Sequence, residues 1–245
     1  MSFEARSIAD WKIWAPELRT LRLTGPPPEF QPGQFVRLAL PSAPDLARSY
    51  SLSSAPGQPT ETFLVEVPGG ALTPKLFQLE VGAEVLLDTV AQGHFVLERV
   101  APTRDLWLVA TGTGLGPYVS MLRSGQVWER AETVVVVHGV RERGHLAYAS
   151  ELQALARERG RDLRWVGLVS RGEPPAGALP GRLTDALESG ALEAAAGVTL
   201  SPETSHVMLC GNPAMIRDLR ALLEARGLAR NRPRQAGQFT SEKYW

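Results

Sequence analysis

Residues 105–117 read DLWLVATGTGLGP. An acid opens an apolar run, Leu106–Ala110, and three spaced glycines, Gly112, Gly114 and Gly116, lead to Pro117, a residue suited to the first position of a helix. Strand, glycine turn, helix is the predicted order. Glycines let the backbone approach a ligand closely, and a helix start offers unpaired N–H groups to an anion such as a pyrophosphate. The spacing is G-x-G-x-G-P and not G-x-G-x-x-G, and no Lys-Ser/Thr pair follows, so neither the dinucleotide fingerprint nor a P-loop is met. By itself the stretch favours a ligand-binding turn, with a tight strand-to-helix turn without ligand as the alternative.

Downstream, apolar strands alternate with helical patterns. TVVVVHG (133–139) precedes HLAYASELQALARERG, LRWVGLVS (163–170) precedes RLTDALESGALEAA, and SHVMLC (205–210) precedes AMIRDLRALLEARG. Continuous apolar strands between amphipathic helices predict a parallel sheet covered on both faces. Upstream the period differs: TLRLT, QFVRLAL, RSYSLSS, TFLVEV and EVLLD are short strands set between GPPPEFQPG, PSAPD and other Pro/Gly turns, which predicts an antiparallel barrel or sandwich. The chain therefore reads as two domains: an N-terminal antiparallel β-barrel over 1–101 and a C-terminal α/β parallel-sheet nucleotide-binding domain over 102–245.

Composition narrows the function classes. The 245 residues carry 26 basic and 26 acidic side chains, so no global field favours nucleic acid or an anionic membrane. Cys210 is the single cysteine, which excludes internal disulfides, a four-cysteine iron–sulfur cluster and a cysteine-rich zinc site. His94, His138, His145 and His206 are scattered without metal-ligand spacing and read as structural or surface residues; no metal is expected. No G-x-S-x-G elbow supports hydrolysis. The N-terminal MSFEARSIADWKIW lacks the apolar core of a secretory signal, and no apolar run approaches the ~20 residues of a membrane span, so a cytoplasmic location is expected.

Three further segments carry candidate chemistry. Arg48-Ser49-Tyr50-Ser51 offers a two-pronged phosphate donor, an aromatic face for a conjugated ring and a hydroxyl, or else an ordinary barrel strand. Arg141, Arg171 and Arg182 follow successive predicted strands of the parallel sheet, where a 2'-phosphate would need positive partners. Cys210 precedes Gly-Asn-Pro; a lone buried cysteine is ordinarily a small hydrophobe.

In their order along the chain, R-x-Y-S, T-G-T-G-x-G-P, C-G-N-P and a terminal Y-W, these motifs resemble the ferredoxin–NADP reductase superfamily, most closely its bacterial ferredoxin/flavodoxin–NADP reductases. The likeness spans essentially the whole chain. It implies an FAD-dependent oxidoreductase that moves electrons between NADP(H) and ferredoxin or flavodoxin as a monomer. It also implies that Arg48, Ser49, Tyr50 and Ser51 contact FAD, with Arg48 on the pyrophosphate, Tyr50 stacked on the isoalloxazine and Ser51 near flavin N5. Ala71, Leu72 and Thr73, in VPGGALTPKL, would lie beside the pyrophosphate, although the family usually has a basic residue where Ala71 stands. Thr113 would reach the flavin, and Phe63 is a flavin contact or a core residue. Cys210 and Glu242 would flank the nicotinamide, so the implied catalytic set is Ser51, Cys210 and Glu242. Arg141, Ser170, Arg171 and Arg182 would hold the 2'-phosphate, and Tyr244 and Trp245 would cover FAD, one on the isoalloxazine and the other on the adenine. Arg226, Arg230, Arg232 and Arg234 are either a basic rim for an acidic carrier or a solvated helix end. The competing expectation is an NADH-linked flavin reductase component of an oxygenase or other electron-transfer complex.

Overall fold

The computed structural model describes residues 3–232 and 235–244. Six strands form the first sheet: β1 (Phe3–Ala15), β2 (Leu18–Leu23), β3 (Phe35–Leu40), β4 (Ala43–Ser51), β5 (Glu61–Val65) and, after the short helix α1 (Thr73–Leu76), β6 (Glu84–Asp88). They pair antiparallel in the order β4-β3-β6-β1-β2-β5, and a bridge between Leu52 and Thr62 brings the two end strands together. The sheet thus curls into the expected barrel, whose edges are paired instead of exposed. Ile8, Leu21, Leu23, Val36, Leu38, Leu64 and Leu87 fill it, each 1% exposed or less. Burying one such side chain contributes about 1.5–3 kcal/mol.

The second sheet is wholly parallel. It contains β7 (Thr103–Thr111), then, following α2 (Gly116–Ser124), β8 (Ala131–Val140); after α3 (Ala149–Arg159) come β9 (Leu163–Val169) and the two-residue β10 (Leu179–Pro180). Two short helices, α4 (Leu183–Glu188) and α5 (Ala191–Ala196), precede β11 (Ser205–Gly211), and α6 (Pro213–Ala225) precedes β12 (Phe239–Lys243). The order is β10-β9-β8-β7-β11-β12, so the strand sequence reverses between β7 and β11. Val134–Val137 and all of β11 are buried, as a sheet covered on both faces requires.

The compact units interleave in sequence. Helix α2 and Gly125 group with the barrel, which otherwise ends at Arg99, while Val100–Leu115 and the chain from Gln126 form the other unit. The tie is polar and specific: Ser120 Oγ donates to the Ser54 carbonyl at 2.6 Å, and Arg123 donates to the Ser53 carbonyl and to the Glu61 carboxylate. Gly116 admits the Phe63 side chain, whose Cβ would stand 3.5 Å from a Cβ at that glycine. A change of hydrophobic period marks where strand types change, and it is blind to a helix that crosses back.

Candidate active site

The reversal of strand order between β7 and β11 is where open α/β sheets seat their ligands, outside the carboxyl ends of the strands. The chain there is built of close backbone approaches. Gly112–Leu115 forms a 3-10 turn, and a Cβ on Gly114 would stand 2.6 Å from the Cys210 carbonyl oxygen. Gly211 adopts φ +130°, and a Cβ on it would strike the Thr111 side chain. Thr111 Oγ1 accepts from the Asn212 amide at 2.9 Å, and Asn212 Oδ1 in turn accepts from the Ala214 and Met215 amides, capping α6 with Pro213 at its first position. The Gly-Asn-Pro run is therefore a helix start welded to the glycine turn. Gly112, at φ +54°, faces open space on its Cβ side.

Beside this turn, β11 and β12 place Cys210 opposite Glu242. Cys210 is fully buried; burial pushes its thiol well up, the Glu242 charge adds to the rise, and a hydrogen bond to Tyr244 opposes it. Burial likewise raises the Glu242 carboxyl to about 7, and its Oε2 is without a hydrogen-bond partner among the described residues. The Tyr244 amide donates to the Gly211 carbonyl at 2.9 Å, which holds the end of the chain against the turn. Thr113 is buried within the turn itself. Trp245 lies outside the described residues.

The arginines sit on neighbouring strand ends. The Arg171 amide donates to the Arg141 carbonyl at 2.7 Å, the Ser170 amide and hydroxyl both donate to the Val140 carbonyl, and the Gly181 amide, next to Arg182, donates to the Val169 carbonyl. All three arginines are exposed, and among the described residues none of their side chains enters a hydrogen bond or ion pair. Arg226 differs from both readings, the basic rim and the solvated helix end. Its guanidinium pairs with Glu193 at 2.7 Å and donates to the Leu187 carbonyl, so it ties α6 to the α4–α5 region. Arg230 and Arg232 are exposed, and Arg234 lies outside the described residues.

On the barrel, Arg48 and Tyr50 project from one face of β4 and Ser49 and Ser51 from the other. Tyr50 is half-buried against the barrel core; burial pushes its phenol up to about 12, with Arg48 opposing. Arg48 and Ser49 are exposed, and the Arg48 guanidinium donates to the carbonyls of Leu46 and Ala47, while Ser51 is buried. The 67–73 loop closes on itself: the Val67 amide donates to Thr73 Oγ1 at 2.9 Å and the Gly70 amide to the Val67 carbonyl. The amides of Ala71, Leu72 and Thr73 have no partner among the described residues. Leu72 and Phe63 are core residues by burial, so any ligand contact of Leu72 falls to its backbone.

Residues 108–221 match the model of the oxidoreductase NAD-binding domain. A curated flavodoxin/ferredoxin–NADP reductase of Shigella flexneri is 40% identical over 249 aligned positions, covering 97% of this chain and 100% of the relative. The chain belongs to the flavodoxin/ferredoxin–NADP reductase family. Ferredoxin–NADP reductase A of Sorangium cellulosum, another member, is 38% identical over 98% of this chain and 90% of its own length. A crystal structure of the ferredoxin NADP+ reductase of Neisseria gonorrhoeae with bound FAD and NADP superposes with a TM-score of 0.93 at 30% identity, covering 99% of both chains. Membership makes this chain an oxidoreductase, and among its described residues no helix is long and apolar enough to cross a membrane.

One residue of the turn escaped the sequence reading. His138, on β8, is fully buried with Nε2 at 3.0 Å from the Gly112 carbonyl oxygen. In sequence it is one polar residue closing a run of valines, and nothing local distinguishes it from a satisfied core histidine.

Proposed function

We propose that this chain transfers electrons between NADP(H) and a ferredoxin or flavodoxin through bound FAD, as a cytoplasmic monomer. The observation that carries the reading is the trio of unpartnered guanidiniums, Arg141, Arg171 and Arg182, on adjacent strand ends of a sheet whose switch point bears the glycine turn. Exposed arginines without a side-chain partner among the described residues suit a dianionic 2'-phosphate. The same trio opposes the NADH-linked alternative.

The donor sets fit both cofactors. Arg48, the open amides of Ala71–Thr73 and the Thr73 hydroxyl, which accepts from Val67 and keeps its own proton to donate, suit the FAD pyrophosphate. Tyr50 offers its ring to the isoalloxazine, Ser51 its hydroxyl near N5, and Ser49 lies beside them; Tyr244 and Trp245 would cover the cofactor from the C-terminal end. When bound, FAD exchanges two electrons with a nicotinamide and one at a time with a carrier.

The protein's own residues bind, orient and shield. Arg141, Ser170, Arg171 and Arg182 anchor the adenosine end of the nucleotide. Thr113 and the close-packed turn set its depth. Cys210, held protonated by burial, presents a small apolar wall to the nicotinamide. Glu242, held near neutrality, keeps a proton at Oε2 or releases it to water according to pH. The test is a visible spectrum of FAD-loaded protein before and after anaerobic NADPH. Bleaching of the flavin band is expected, and an oxidised flavin indifferent to NADPH refutes the function.

A further inference from the structure

The fully buried His138 faces the glycine turn with Nε2 3.0 Å from the Gly112 carbonyl oxygen, while its Nδ1 has no partner among the described residues. A carbonyl oxygen only accepts, so the ring carries its proton on Nε2 and donates it there. No peptide bond among the described residues is cis. In a trans peptide the C=O and the following N–H point in opposite directions, so drawing the Gly112 carbonyl toward β8 turns the Thr113 N–H away from β8. That amide has no partner among the described residues. Gly112, at φ +54°, has the conformational freedom that would let this peptide rotate if the carbonyl were released.

We infer that His138 is a positioning residue: it clamps the Gly112 carbonyl and thereby aims the Thr113 amide at the pyrophosphate–nicotinamide half of the pyridine nucleotide. Neutrality of the ring supports the clamp, since burial lowers its pKa to about 4 and the nearby His145 pushes the same way. The inference rests on the NADP(H) reading above.

Calorimetric titration of the FAD-loaded protein with two probes tests it: NADP+, and 2',5'-ADP, which carries the 2'-phosphate adenosine end with a single 5'-phosphate and lacks the nicotinamide half. His138→Met is expected to bind NADP+ about tenfold more weakly, the loss of one charge-assisted hydrogen bond, and 2',5'-ADP unchanged. His138→Gln, which keeps a donor near Nε2, should restore most of the NADP+ affinity. Unchanged NADP+ binding in His138→Met, or equal losses for both probes, overturns the clamp. Should His138→Met fail to fold, 15N spectra of the wild type decide. An Nε2–H tautomer with a Thr113 amide that shifts on adding NADP+ but not 2',5'-ADP supports the clamp; an Nδ1–H tautomer or an unmoved amide overturns it. A wild type that binds neither probe refutes the NADP(H) reading itself, a distinguishable result.

Discussion

Glu242 stands opposite Cys210 across the β11–β12 pair, and its charge adds to the burial that keeps the Cys210 thiol protonated. The carboxyl, raised to about 7, is the more readily measured of the two.

The sign follows from linkage. A carboxyl whose folded pKa exceeds its unfolded value favours folding when protonated, so its contribution is complete below about 4.5 and is lost as pH rises through about 7. Glu242→Gln, which has no charge to bury, should be more stable than wild type at pH 8 by roughly 1–3 kcal/mol, the span allowed by the shift after discounting for partial exposure. Near pH 4.5 the two should coincide. Urea unfolding at both pH values checks this, and a constant offset would show that the substitution acts through packing.

His138 and His206 produce the opposite slope. Burial lowers both to about 4, so each stays neutral in the folded chain while the unfolded chain takes up protons below about 6.5. Stability contributed by these residues is intact above 6.5 and lost as pH falls through about 4. Over the shared window Glu242 takes up a proton on the folded side, which cancels one of the two. Glu242→Gln should therefore steepen the acid loss of stability by about one proton, roughly 1.4 kcal/mol per pH unit. A denaturant series from pH 4.5 to 6.5 would show it; parallel curves for the two proteins would contradict the assignment.

The arginine trio predicts nucleotide choice. Arg171→Ala should raise KM for NADPH about tenfold or more, the loss of a charge-assisted contact to phosphate, and leave NADH kinetics within about twofold. Arg141→Ala and Arg182→Ala should act in the same direction. Steady-state rates with both nucleotides give the comparison, and equal losses for NADH and NADPH would mean that these side chains serve something other than the 2'-phosphate.

How much of this was legible in the sequence depended on whether burial left a period. Strands β7, β8, β9 and β11 announced themselves because both faces are covered and their central positions run apolar without alternation. Strand β1 did not: over thirteen residues only Ile8 is buried, and register shifts beside it break any alternation. Strand β12 is an edge with Phe239 alone inside. At the site, glycine spacing pointed to the turn because close approach leaves a compositional mark. The His138 hydrogen bond left none, since its partner is a backbone carbonyl 26 positions away. Arg226 misled for the converse reason: its charge was visible, but Glu193, which neutralises it, is 33 positions distant.

Gly114 offers a steric test of the turn. A methyl group there would meet the Cys210 carbonyl oxygen at 2.6 Å and its carbon at 2.8 Å, both rigid backbone atoms of a central strand. Gly114→Ala must displace the turn or β11, and about 1–3 kcal/mol of stability should go with it. NADP+ affinity should fall further than FAD affinity, because the turn belongs to the parallel-sheet unit. Fluorescence titrations with each cofactor would decide, and unchanged NADP+ binding would remove the turn from the nucleotide site.

The ion cluster at Glu61 governs whether α2 keeps its place on the barrel. Its carboxylate accepts from Arg22 at 2.7 Å and from Arg123 at 2.7 Å, with the acid largely buried and Arg123 about a quarter exposed. Removing the carboxylate takes an anionic partner from Arg123 while the Ser53 carbonyl remains, whereas removing Arg22, half-exposed, leaves the Arg123 pair intact. Glu61→Gln should therefore cost more stability than Arg22→Ala: about 2–3 kcal/mol against about 1, lower than for a fully buried pair because water still reaches both arginines. Because α2 directly follows the glycine turn, Glu61→Gln should also speed amide exchange at Ser120–Arg123 ahead of the barrel strands. Thermal unfolding of both variants with hydrogen exchange of the first provides the check. Equal costs for the two substitutions would show that Arg123 does not depend on Glu61, and α2 would then be held by the Ser120–Ser54 hydrogen bond and its apolar contacts.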